Sequence, residues 1–224
     1  MNLNFIGIIF LLLSAAIQQL LKAKFARYAK TKLRANLSGA EVAQKMLHEY
    51  GLENIKVTCT SGHLTDHYNP LTKTVNLSPQ VHEGRHAAAA AIAAHECGHA
   101  VQHAQGYALL RLRSAMVPAL SATTRYLPWL ILLGIFLLNT TPVPLTAGIA
   151  LFSLTTLFSF ITLPVEFDAS SRALAWMDNQ RIITHQERHM AQNALWWAAM
   201  TYVVAALGSL AQLLHLVNIL QRRR

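Results

Sequence analysis

Residues 3–21, LNFIGIIFLLLSAAIQQLL, form an uncharged apolar run about as long as the ~20 residues a helix needs to cross a bilayer. Directly after it come Lys22, Lys24, Arg27, Lys30, Lys32 and Arg34. A cleaved signal peptide would want basic residues before the apolar core and a small-residue cleavage site after it. Met1–Phe5 has no basic side chain, and the run ends in Gln18-Gln-Leu-Leu-Lys22. The pattern therefore predicts an uncleaved anchor over 1–21, with the basic cluster on the cytoplasmic side and the N-terminus outside.

Composition points the same way. Of 224 residues, 53% are hydrophobic and only 13% charged, against roughly 25% charged in a soluble domain. That leaves room for one compact domain beside the spans. The net charge of +9 flanks apolar runs rather than clustering with aromatics on a recognisable module, which argues against nucleic acid as a partner and for the lipid bilayer. Two cysteines, Cys59 and Cys97, are too few for a disulfide framework; a reducing compartment fits.

Moving outward, residues 22–115 hold the expected globular core. Ser38 with Glu41 three residues on makes a capping box, opening a helix to about Tyr50 that stops at Gly51. Two β-like runs, Ile55–Thr60 and Thr72–Leu77, flank the turn-rich Ser61-Gly-His-Leu-Thr-Asp-His-Tyr-Asn-Pro70 and are expected to form a short β hairpin. An alanine-rich helix follows through Ala104, closed by Gly106. A membrane hairpin is expected over 116–163: Leu145–Leu163 is uncharged, and Pro128–Asn139 is too short unless the span extends back past Arg125. Thr140-Thr-Pro-Val-Pro144 reads as its turn. A polar helical segment, 164–193, precedes a last apolar helix, 194–220, and a basic tail, 221–224. With four spans this tail would lie outside, against the positive-inside rule. The class is a mainly α, multi-pass membrane protein with about four transmembrane helices and a small α+β domain.

His95-Glu-Cys-Gly-His99 carries the chemistry. Residues four apart share a helix face, so both imidazoles reach one ion, and Glu96 sits one step round, placed to take a proton from water. The pattern occurs twice, since His82-Glu-Gly-Arg-His86 also fits. That copy has Gly84 in its middle, a cation at Arg85, and lies just past Ser78-Pro79, where a helix only begins. The copy at 95 lies deep in a helix among small residues. His103 continues the series but lies ~12 Å along the axis from His95, and Gln102 and Gln105 occupy the positions where a metzincin needs Gly and His. Cys97 points away from the His95/His99 direction and reads as an apolar filler.

A catalytic zinc takes three protein ligands, and the third has several candidates: Glu166, Asp168, Glu187, His185 and His189. Pro164 fits a helix start that would carry Glu166 in its first turn. Asp168 has a bland account, an ion pair with Arg172 at i+4; no such cation stands at 169 or 170 for Glu166. His185 and His189 read as an exposed polar loop. His63, Asp66, His67 and Tyr68 have two readings, cleft lining or plain turn chemistry. The β-like runs also offer an edge to which an extended peptide could add.

The HExxH at 95, Ser61–Pro70, Ala108-Leu-Leu-Arg-Leu-Arg113 and Leu163-Pro-Val-Glu-Phe-Asp-Ala-Ser170 together resemble the YugP-like family of bacterial membrane neutral zinc metallopeptidases, distantly similar to HtpX-type proteases. The resemblance implies a zincin-like catalytic domain of gluzincin type, one Zn2+ per chain, Glu166 as third ligand, and a bacterial inner (plasma) membrane location with the catalytic domain cytoplasmic. Protein or peptide substrates follow, with Asp168 and Arg172 near the site. His86 departs from the family pattern, where a small hydroxyl residue is expected. Two rivals are a non-enzymatic zinc-binding membrane scaffold, which has no need of Glu96, and a transporter, which would want more ionisable residues in its spans than Arg125 and His215. Oligomeric state leaves no mark in the sequence.

Overall fold

The computed structural model describes residues 3–63 and 65–222. Met1, Asn2 and the tail residues Arg223 and Arg224 lie outside the described residues. Eleven elements follow in order among them: α1 (Leu3–Tyr28), α2 (Gly39–Glu49), β1 (Lys56–Cys59), β2 (His67–Asn69), β3 (Thr74–Leu77), α3 (Pro79–His82), α4 (Ala87–Ala104), α5 (Ala108–Thr124), α6 (Leu127–Phe136), α7 (Val143–Asn179) and α8 (His185–Gln221).

Among the described residues, three helices are long and apolar enough to cross a membrane: α1 over Ile6–Tyr28, α7 and α8. The expected fourth span exists only if α5 and α6 count as one, and they are bent by 52° at the break between them. The chain forms two compact units, Met1–Ala16 with Leu109–Pro164 and Thr201–Arg224, and Ile17–Ala108 with Val165–Met200.

The second unit is built round α4. This helix is buried on nearly every side, its alanines Ala87–Ala91, Ala93 and Ala94 all at 1% exposure or less, as expected of a helix apolar all round. The α2 helix starts as expected: Ser38 Oγ accepts the Glu41 N–H and Glu41 accepts the Ser38 N–H. Its Val42, Ala43, Met46 and Leu47 join the core with Val75 and Leu77 of the sheet. Gly51 and Gly106 adopt positive φ just past α2 and α4, where only glycine is free of Cβ strain.

The sheet corrects the expected hairpin. The strands at Lys56–Cys59 and Thr74–Leu77 are parallel, with β3 in the centre. The hairpin pairs β3 with β2, a strand inside the segment read as turn, with His67 opposite Asn76. Asn69 explains it: its Oδ1 accepts the N–H groups of Leu71 and Thr72, an Asx turn that reverses the chain.

Two further expectations give way. No helix begins at Pro164, which lies inside the 37-residue α7. A proline there loses one ladder bond, roughly 3 kcal/mol, and the helix continues because Val165, Ala169, Ala173, Trp176 and Met177 are buried in succession along it. His185 and His189 are exposed but helical, in the first turns of α8. Thr184 and Glu187 form a reciprocal cap there, and Glu187 also accepts the Arg34 N–H. The second HExxH copy is split: His82 ends α3 and His86 is the N-cap of α4, so its two imidazoles share no helix.

Candidate metal centre

The α4 helix brings His95 and His99 one turn apart, their rings 4.8 Å between centroids and nearly perpendicular. From α7, Glu166 meets them: its Oε2 lies 3.2 Å from His95 Nε2 and 3.5 Å from His99 Nε2. One donor atom from each residue lies within 4.8 Å of the others, the one such group of His, Cys, Asp or Glu among the described residues. Glu166 is 3% exposed.

Gly98 makes the encounter possible. A Cβ on it would stand 2.7 Å from the Ala169 carbonyl oxygen and 3.2 Å from its Cα, so α4 and α7 touch backbone to backbone one turn from Glu166. Cys97 faces the other way, its thiol toward the Ala43 carbonyl at 3.6 Å; burial raises its pKa well above the ordinary value, which suits an inert filler.

Each imidazole is also held from behind. Ser170 Oγ is 3.1 Å from His95 Nδ1, and Gln102 Oε1 is 3.0 Å from His99 Nδ1. Metal-binding histidines characteristically engage their second ring nitrogen in this way. A buried carboxylate and two imidazole Nε2 atoms, all largely shielded from solvent, form a donor set suited to zinc.

Glu96 is buried and its Oε2 accepts the Tyr68 N–H at 3.1 Å, so β2 holds the carboxylate in place. Burial raises its pKa, the His95 and His99 imidazoles pull it down, and the Glu166 and Asp66 carboxylates push it up again, leaving it raised. His99 is lowered by burial, but the carboxylates of Glu166 and Glu96 outweigh this and its pKa is raised.

The remaining sequence candidates divide. Asp168 pairs with Arg172, which also bonds Gln105 and lies over the Tyr107 ring at 6.0 Å. Asp66 is occupied by the Ser78 N–H and hydroxyl, and exposed His67 lies against the Thr65 carbonyl and Asn76. His63 stands edge-on to Phe25. None of these three belongs to the cluster. His103, rejected on helix geometry, bonds the Tyr68 hydroxyl. Gln102 and Ser170 were missed as partners of the histidines. Their only sequence signal is position, three residues after His99 and four after Glu166.

With this geometry in view, the class follows from comparison. Residues 3–221 match the family described as "Putative neutral zinc metallopeptidase", and the chain belongs to that family. A relative from Bacillus subtilis (strain 168), named "Putative membrane protease YugP", is 40% identical over 198 residues, covering 88% of this chain and 87% of its own length. No solved structure matches the chain.

Proposed function

We propose that this chain is a membrane-anchored zinc-dependent endopeptidase of gluzincin type, in which His95, His99 and Glu166 hold one zinc ion and Glu96 is the general base. The observation that carries the proposal is the convergence of those three side chains within 4.8 Å, with a fourth, the Glu96 carboxylate, held beside them by the Tyr68 amide. A zinc ion bound there would supply a Lewis acid that polarises a peptide carbonyl and acidifies water.

The chain's own residues supply the rest. Glu96 takes the proton from the attacking water and delivers it to the leaving nitrogen. Its raised pKa brings it nearer to neutrality, where a base both accepts and returns a proton. The Tyr68 N–H keeps the carboxylate from swinging away. A pure metal binder would need no carboxylate at this position, which weighs against the scaffold reading.

Substrates are membrane or membrane-proximal proteins, reached from a catalytic unit on the cytoplasmic face of the inner (plasma) membrane. This rests on the apolar helices, on the basic residues that follow the first of them, and on the relative named a membrane protease.

The test is purification of the full chain in detergent, metal analysis and a casein-type assay of wild type against Glu96→Gln. The variant should keep about one zinc per chain and lose activity by at least about 10²-fold, the lower range for a general base. Equal activity in both proteins would remove Glu96 from the mechanism.

A further inference from the structure

Gln102 is completely buried. Its Nε2 donates to the Val165 carbonyl at 2.9 Å and to Asp168 Oδ2 at 2.7 Å, and its Oε1 faces His99 Nδ1 at 3.0 Å. Both acceptors can only accept. A backbone carbonyl carries no hydrogen, and Asp168 is ion-paired with Arg172. Turning the amide round would set its oxygen against two further oxygens in a buried site and forfeit both bonds. The atom facing His99 is therefore an oxygen, and an amide oxygen accepts only.

The consequence lies in the ring. Two acceptors compete for the single hydrogen of neutral His99: the Gln102 oxygen at 3.0 Å from Nδ1 and Glu166 Oε2 at 3.5 Å from Nε2, an oxygen that His95 Nε2 shares at 3.2 Å. The shorter, unshared bond places the hydrogen on Nδ1 and leaves the lone pair on Nε2. His95 has no such instruction. Its Nδ1 meets the Ser170 hydroxyl, which donates or accepts equally well.

We infer that Gln102, locked by Val165 and Asp168, is a positioning residue that sets the tautomer of His99 and so presents Nε2 as a ready donor before any metal arrives. The inference rests on the proposed zinc reading for its purpose, but the tautomer can be read without metal.

Two measurements test it on the full chain in detergent. The first is 15N nuclear magnetic resonance of histidine-labelled, chelator-treated wild type under alkaline conditions, with the His99 signals assigned by their loss in His99→Gln. Hydrogen on Nδ1 is expected, and hydrogen on Nε2 would overturn the inference. The second is zinc affinity by chelator competition in Gln102→Met and Gln102→Glu. Methionine fills the space without an acceptor and should weaken zinc binding about 10–100-fold. Glutamate, held protonated by the Asp168 carboxylate beside it, gives up one bond of the two-donor clamp, donates the other, and still presents its carbonyl oxygen to Nδ1, so it should recover most of that loss. If glutamate binds as weakly as methionine, Gln102 is only a clamp between α4 and α7 and the inference fails; it fails too if methionine binds like wild type. A wild type that takes up no zinc would sink the metallopeptidase reading, and the nitrogen shifts would still decide this one.

Discussion

His86 does the work of an N-cap with an imidazole. Its Nδ1 accepts the Ala89 N–H at 3.2 Å, and its ring stands edge-on to Phe25, 5.2 Å between centroids. Burial lowers its pKa from the ordinary 6.5. Protonation would turn the acceptor into a donor and break the cap, a loss of roughly 0.5–2 kcal/mol. The sign follows from linkage: the unfolded chain binds this proton more readily, so the contribution is fully present above pH 6.5 and drains away as pH falls below it. Serine caps without titrating. The melting-temperature difference between wild type and His86→Ser should therefore shift against wild type as pH drops through that window; contributions from other histidines are common to both proteins and cancel. A pH-independent difference would show that the imidazole does not cap as a neutral acceptor.

At the scale of elements, the contact of α4 with α7 sets the site. Gly98→Ala would drive a methyl group against Ala169 backbone, which cannot turn aside as a side chain can. We expect a loss of about 1–3 kcal/mol in stability, and a fall in zinc affinity because Glu166 rides on the displaced turn. Gly7→Ala is the control, since nothing lies within 4 Å of its would-be Cβ and alanine is the better helix former. Equal zinc affinity in the Gly98→Ala protein would separate that contact from the site. The same two helices show what the sequence could and could not reveal. The α2 cap, the Gly106 stop and the His95/His99 face rest on local spacing, and local spacing is legible. Continuity through α7 was not, because Pro164 and the change from apolar to polar composition both imitate a boundary, whereas burial of one face of the stretch, Val165, Ala169, Ala173, Trp176 and Met177, overrides them. Strand β2 escaped for a similar reason: three residues are too few to alternate, and β3 supplies their pairing. Glu166 was distinguishable from its rivals chiefly through family resemblance, since 71 residues separate it from His95. Gln102 was invisible, its role arising only when α7 arrives to occupy its amide.

For the whole molecule, a metal held as proposed would staple together segments far apart in the chain. The proposed donors come from α4 and α7, and no such constellation survives unfolding, so zinc held there would bind the native state and stabilise it by mass action. With free zinc at 100 times its dissociation constant the gain is about 2.7 kcal/mol, which for a chain of this size raises the melting temperature by roughly 5–11 °C. Chelation of the detergent-purified protein should remove that increment. Glu96→Gln should show the same increment as wild type, since the proposed role of Glu96 is base and not ligand. Glu166→Ala should show little or none, and its zinc content should fall with it. The pair of variants thus separates holding the metal from using it. An undiminished increment in Glu166→Ala would exclude Glu166 from the ligand set and leave the two histidines in need of another third partner. An increment lost in Glu96→Gln would move Glu96 from base to ligand.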